Sequence, residues 1–360
     1  MQLFRVRLTQ QSALLTEPTS GVLMGHLAWA YRYLYGAAEL TALLDAYRTA
    51  DAADASPPLI CSAALPQDML PRPPFNYLTP AQRTALAQTR YADDGRATLL
   101  QLERELGRLR HVTWVPRSIL AELCEDLSAV ALIARLLDAM PQLAPRIAGG
   151  PIRPEAQDAA GPARLDGRVR TQPGINRLTG AVQDGILFDT NELVYRPSQE
   201  LEIWVRIAPD YADDTWLTRW EACFALLDAQ GIGARKSAGS GRIRLTANLT
   251  AVPATALPAA AQPNAFITLA SWTPRATDPA AHVYRLDTRH GRLGGLYGAG
   301  EDVWKYPVTE LLPGAVGLLP PAAPLRPVYG RLLADVHRTR PEIVNFAYAF
   351  PIGITLRHEE

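Results

Sequence analysis

The chain lacks several things, and each lack closes off a class of function. It carries no net charge, because 36 Lys+Arg offset 36 Asp+Glu. No whole-molecule field draws it to nucleic acid, and any polyanion contact must come from local patches. Only three cysteines occur in 360 residues, Cys61, Cys124 and Cys223, with no Cys-x-x-Cys spacing. That usage suits buried thiols in a reducing compartment, not a disulfide framework or a zinc site. The six histidines are scattered, and neither a metal nor another cofactor is expected. Residues Met1 to Arg5 lack the basic start and apolar run of a signal peptide. No run of about eighteen apolar residues is present to span a bilayer. The expectation is a soluble, cytoplasmic protein without membrane attachment. What the chain does have is 48% hydrophobic residues, enough for a sizeable core in one large domain or two modest ones.

Its most informative stretch is Gly231-Ile232-Gly233-Ala234-Arg235-Lys236-Ser237-Ala238-Gly239-Ser240-Gly241-Arg242. Glycine permits positive φ and close approach of another chain, and successive exposed N–H groups form an anion-binding concavity. Arg235, Lys236 and Arg242 add positive charge, so the stretch reads as a cradle for a phosphate backbone. Nucleotide-binding loops run strand, loop, helix, and here the order is reversed. Asp214 can cap a helix to about Gln230, with Leu217, Trp220, Phe224 and Leu227 on one face. Gly231 stands where a glycine stops such a helix, and Arg242 to Ala247 alternates as a strand. No Gly-Lys-Ser/Thr ends the loop, and Gly-x-Gly-x-x-Gly is broken at Lys236. A plain glycine-rich connector has the same local composition, so the rest of the chain must decide.

Phe4, Val6 and Leu8 alternate with Arg5 and Arg7 as a first strand. Thr19-Ser20 offers an N-cap for a helix over 21–35, continued over 36–50. Residues 51–82 are proline-rich and read as loop. Helical patterns return at 96–110, 116–125 and 128–140, and a Pro/Gly/Ala stretch at 141–165 reads as a loop. Strands are expected at 168–171, 186–188 and 201–207, and residues 250–263 read as a linker. Short strands fill 264–360. With the helical insertion (about 40–165) removed, the order is β-α-β-β-α-β, an α+β ferredoxin-like, RRM-like unit over 1–250. A linker at 251–263 and a smaller β-rich domain over 264–360 follow. In that topology Arg5, Arg7, Trp204, Arg206, Arg242 and Arg244 share one sheet face. An aromatic and cationic sheet face suits single-stranded RNA.

Several segments, in order, resemble one family. They include Pro18-Thr19-Ser20-Gly21-Val22-Leu23-Met24-Gly25, Ser62 to Pro66 with Leu70 to Pro73, and His111 to Pro116. Asn176-Arg177-Leu178-Thr179-Gly180 with Gly185-Ile186-Leu187-Phe188 follows, then Tyr284 to Leu286 with Arg289 to Gly291, Pro313 to Val316 and Tyr348 to Ile352. Together with the glycine loop they resemble the RAMP superfamily of CRISPR proteins. The closer likeness is to the subunit that holds the guide-RNA 5′ tag in the type III-A (Csm) interference complex. Ala234 stands where the family has glycine, Asn176 where it has aspartate, and Thr19-Ser20-Gly21 where it has Ser-Asp-Thr.

The resemblance implies a non-catalytic, RNA-binding subunit of a ribonucleoprotein. Its partners would be the guide RNA, the large polymerase/cyclase subunit and a backbone RAMP subunit. Carried over by position, Gly231, Gly233, Arg235, Lys236, Ser237, Gly239 and Gly241 would meet tag phosphates. Arg242, Arg244, Arg5 and Arg7 would extend the track, and Arg177 and Thr179 would lie near a splayed base or an adjacent subunit. Related RAMP proteins cleave repeat RNA without metal through a histidine, which makes His26 the candidate for an alternative nuclease role. It lies beside Val22, Trp29 and Tyr33 on a helix, with no second acid or base set beside it by the sequence. Asp213-Asp214 suggest a metal nuclease only superficially, because a helix start accounts for them. A third possibility is a scaffold subunit with protein contacts only, using the 57–74 segment and the insertion.

Overall fold

The computed structural model describes residues 1–75, 78–91, 96–109, 112–147, 165–175, 178–195 and 199–357. Strand β1 (Gln2–Gln10) buries Phe4, Val6 and Leu8 on one face. Helix α1 (Ser20–Tyr35) buries Leu23, Met24, Leu27, Ala30 and Tyr31. Thr19 is its N-cap residue, but its hydroxyl makes no cap bond and instead accepts from Arg289 at 3.2 Å. The continuous helix expected over 21–50 is broken at Gly36 (φ +96°), where α2 (Ala37–Ala52) begins on a new axis.

The proline-rich stretch expected as loop is instead ordered and buried. It contains β2 (Leu59–Cys61), β3 (Leu65–Pro66) and β4 (Met69–Pro71), all with buried residues. Its apolar residues draw it across the sheet edge, and the prolines sit at strand ends, where no ladder donor is required. Helix α3 (Pro80–Arg90) was not foreseen; Thr79 and Gln82 form its capping box. Then come α4 (Arg96–Leu109), β5 (Trp114–Pro116), α5 (Arg117–Leu123) and α6 (Ala129–Ile147), which runs past the expected end at 140. Most of the 141–165 segment lies outside the described residues.

Strands β6 (Leu165–Ile175) and β7 (Val182–Tyr195) form a long hairpin. Strand β8 (Glu200–Ile207) leads to α7 (Asp214–Gln230), whose cap is Asp213 rather than Asp214. The Asp213 carboxylate accepts the Trp216 N–H at 2.8 Å. Strand β9 (Ile243–Ala251) closes this half. The rest is β10 (Ala265–Thr268), β11 (Ala281–Val283), β12 (Leu286–Arg292), β13 (Trp304–Leu311), β14 (Val316–Leu318), β15 (Tyr329–Leu333), β16 (Asn345–Ala349) and β17 (Pro351–Ile354).

The first sheet has the order β2-β8-β1-β9 with every neighbour antiparallel, and β3 also pairs with β8. A second antiparallel sheet has the order β11-β14-β10-β17. Helices α1 and α7 pack together through Tyr31 against Trp216 and Trp220, and Arg219 donates to the Tyr31 hydroxyl at 2.8 Å. This is an α+β fold. One hydrophobic core runs from Phe4 through Leu23, Ile203 and Phe224 to Ile354.

The sheet face expected to lie open for RNA is covered. Trp204 is 0% exposed, with the guanidinium groups of Arg5 and Arg117 about its ring. Arg206 donates to the carbonyls of Pro327 and Pro351 at 2.7 and 2.8 Å and lies over Phe350. The C-terminal segments thus cap this end of the sheet, and Trp204 has no ring free for a base.

Candidate nucleic-acid interface

The glycine loop has a pinched neck and an open tip. At the neck, the Ile232 N–H donates to the Gly241 carbonyl at 2.8 Å. A Cβ on Gly241 would fall 1.9 Å from the Ile232 oxygen, and one on Gly231 2.6 Å from the Gly241 oxygen. Both residues have positive φ, +74° and +75°. The two glycines exist because two backbones cross here. The Gly241 N–H also donates to the Ala13 carbonyl, which ties the neck to the segment after β1.

The tip makes a single 3-10 turn, Lys236–Ala238, between Arg235 and Gly239 in left-handed conformations (φ +54° and +87°). Ala234, Arg235, Ser237 and Gly239 are exposed and Lys236 is half-buried. Arg235 reaches the β6–β7 hairpin. It donates to Gln172 Oε1 at 3.0 Å and lies 4.8 Å over the Phe188 ring, and these two residues are cross-strand partners. Arg242 and Arg244 are exposed at the start of β9. Among the described residues, Arg235, Lys236, Arg242 and Arg244 have no ion-pair carboxylate.

The arginines of β1 differ. Arg5 meets Glu202 at 3.1 Å and Arg7 lies 3.8 Å from it; Arg117 approaches the same carboxylate at 3.7 Å and also pairs with Asp68. Burial raises the Glu202 pKa, and the positive charges of Arg117 and Arg5 oppose that shift. Arg5 and Arg7 are therefore committed to holding a buried carboxylate. Thr179 is exposed in the turn of the β6–β7 hairpin, and its hydroxyl accepts the Ala181 N–H at 3.4 Å. Arg177 lies outside the described residues.

His26 holds a position that sequence spacing did not reveal. Its Nε2 accepts the Gly233 N–H at 2.8 Å, tying α1 to the loop across 207 residues of chain. Burial, reinforced by the Lys236 charge, lowers its pKa to about 4. The ring is neutral at physiological pH, with its proton on Nδ1. Burial also lowers the Lys236 pKa. The N–H groups of Gly231, Gly233, Gly239 and Gly241, expected to meet phosphates, all donate within the protein, to Leu227, His26, Lys236 and Ala13. What the loop and the start of β9 offer to an anion is the Ser237 hydroxyl and four cations. Among the described residues, no group of His, Cys, Asp and Glu is arranged to hold a metal ion, and no helix is long and apolar enough to cross a membrane.

No protein-family model matches the chain, and no curated protein is detectably similar in sequence. Solved structures do match over nearly its whole length. A chain of the Csm3–Csm4 subcomplex in the type III-A CRISPR-Cas interference complex superposes with a TM-score of 0.54 at 11% identity, covering 99% of this chain and 100% of that one. Chains of Csm1–Csm4 cassettes in complex with cA4 and with AMPPNP each give 0.51, at 14% and 13% identity, with the same coverage. The chain shares the fold of these chains from Csm assemblies. At these identities the likeness is one of fold, and the glycine loop's chemistry must be argued from its own geometry.

Proposed function

We propose that this chain is a non-catalytic RNA-binding subunit of a type III CRISPR effector complex. In this reading it holds the repeat-derived 5′ tag of the guide RNA. It docks the large polymerase/cyclase subunit, corresponding to Csm1 in the similar assemblies, and a backbone RAMP subunit, corresponding to Csm3. The first sheet supports a ferredoxin-like core. Taking β1, α1, β2, β8, α7 and β9 in chain order gives β-α-β-β-α-β, and the sheet order β2-β8-β1-β9 is that of a split βαβ unit.

The observation that carries the RNA assignment is the contrast between two sets of cations. Arg5 and Arg7 are spent on Glu202, whereas Arg235 and Lys236 in the loop and Arg242 and Arg244 after it have no carboxylate partner among the described residues. Phosphates of a single strand would supply the missing counter-charge, with the Ser237 hydroxyl as a neutral donor. Thr179, farther along the β6–β7 hairpin, would meet a base of the strand or a neighbouring subunit, and the same role is proposed for Arg177. A nuclease role for His26 is disfavoured, because the lone pair that a general base needs already accepts the Gly233 N–H.

The test is binding of a tag oligonucleotide to the native chain and to Arg235→Ala/Lys236→Ala/Arg242→Ala across a salt series. Each lost phosphate contact should flatten the log–log salt dependence by about 0.7. Unchanged affinity together with an unchanged slope would remove the loop from the RNA path.

A further inference from the structure

The β12–β13 hairpin is built inside out. A strand pair that merely covers a core turns its apolar side chains inward. Here the inner face carries charge. Glu310 is buried and accepts from Asn345 at 2.9 Å, Lys305 Nζ donates to the Val344 carbonyl at 2.6 Å, and Arg289 holds Asp287 at 2.7 Å. The outer face carries the rings. Trp304 and Tyr306 lie on either side of Lys305 and are 57% and 49% exposed, in a bulged stretch where β13 has one residue more than β12 between the His290–Pro307 and Arg292–Trp304 pairs. Leu286 (58%) lies at one end of the same hairpin and Leu296 (73%) in its connection. Arg292 is the registered partner of Trp304, with its guanidinium 6.0 Å from the ring, and His290 is exposed one strand step away.

The charge of that face indicates its partner. Thr288, His290 and Arg292 on β12, with Trp304, Tyr306 and Thr309 on β13, include no carboxylate. Asp287 and Glu310 belong to the inner face, and the exposed Glu301 and Asp302 sit in the connection beyond the strands. Two exposed rings two residues apart on one strand can each take an unstacked base of a single strand. A protein partner would also use Trp, Tyr and Arg, but an uncharged or cationic partner gains nothing from a face with only basic groups. The platform is also anchored rather than loose. Gly294 and Gly295 in the connection pack against the Trp29 indole of α1, and Tyr297 lies between Trp29 and the Arg340 guanidinium.

We propose that the outer face of the β12–β13 hairpin is a second single-stranded RNA platform, stacking bases on Trp304 and Tyr306 and placing Arg292 and His290 against the phosphates. The proposal is independent of the glycine loop. The experiment titrates the full chain with a labelled oligouridylate of about twelve nucleotides, long enough for stacking at successive bases, and follows anisotropy and tryptophan fluorescence. Trp304→Ala/Tyr306→Ala should weaken binding by roughly tenfold or more, and Trp304→Phe/Tyr306→Phe should largely restore it, because a phenyl ring still stacks. Both residues are exposed, so the variants fold, which circular dichroism checks. Repeating the comparison in the Arg235→Ala/Lys236→Ala/Arg242→Ala background separates this platform from the loop, since each can lose binding without the other. Equal affinity of the native chain and the double-alanine variant overturns the proposal. So does a double-alanine variant that keeps RNA but loses self-association in sedimentation or the binding of a protein subunit, for then the face is a protein interface.

Discussion

Replacing His26 tests how the loop is held, and its consequences can be worked out with sign and size. The imidazole must be neutral to accept the Gly233 N–H. Its pKa of about 4 in the folded chain lies below the ordinary 6.5. Between those values the unfolded chain binds more protons than the folded one. The stability that neutral His26 contributes is therefore complete above pH 6.5 and is lost as pH falls through about 4. A difference of about 2.5 units corresponds to about 3 kcal/mol at most, less in practice because the ring is only half-buried. Gln at this position retains a neutral acceptor but does not titrate, so His26→Gln should keep neutral-pH stability and flatten the curve between pH 6.5 and 4. His26→Ala should flatten it equally and leave the Gly233 amide without its acceptor, a loss of about 1–3 kcal/mol. Urea unfolding at a series of pH values, with hydrogen exchange at Gly233, measures both effects. Parallel curves for the native chain and His26→Gln, or unchanged Gly233 protection in His26→Ala, would refute the reasoning.

Lys236→Met removes the positive neighbour of His26 and should raise its pKa, as read by NMR titration of the imidazole. Gly241→Ala places a methyl 1.9 Å from the Ile232 carbonyl at φ +74° and should open the neck at a cost of several kcal/mol in thermal unfolding. Gly239→Ala, with φ +87° but open space around it, should cost only about 1–2 kcal/mol. Glu202→Gln leaves three guanidinium groups without their shared carboxylate. Losing one member of a fully buried pair costs about 3–5 kcal/mol, and because Arg5 and Arg7 keep some water, roughly half of that is expected in urea unfolding.

The elements with strong periodicity were legible in the sequence. β1, α1, α7, β8 and β9 lie close to where alternation and the apolar stripe place them, because their burial patterns follow directly from side-chain direction. The stretch 51–82 was not legible, since prolines mask strands of two or three residues whose reason to exist is tertiary burial of Leu59, Leu65 and Leu70. The glycine loop was legible as a device but not in its parts. Sequence spacing cannot show that Gly231 and Gly241 serve a backbone crossing while Gly239 stands in the open. Nor can it show that His26, noticed as a possible acid or base, is instead a hydrogen-bond acceptor for the loop. Such a pairing spans 207 residues, and only the fold brings it together.

Trp204 and Trp304 show how the same local pattern acquires opposite meanings. Each lies on a strand across from an arginine, Arg5 for Trp204 and Arg292 for Trp304, and only the first pair is read from the sequence as part of an RNA-binding face. Trp204 sits on a strand buried on both faces, because α1 and α7 cover one side while α5 and the C-terminal segments cover the other. Its arginine neighbours are drawn to Glu202, so ring and charge are both consumed within the fold. Trp304 lies on a two-stranded sheet whose inner side is already filled by Glu310, Lys305 and Arg289, so the ring has nowhere to go but outward. In a chain with balanced charge, the places able to hold a polyanion are those where the fold has supplied no carboxylate. The two sites proposed above, the cations of the glycine loop and the outer face of this hairpin, both meet that criterion among the described residues.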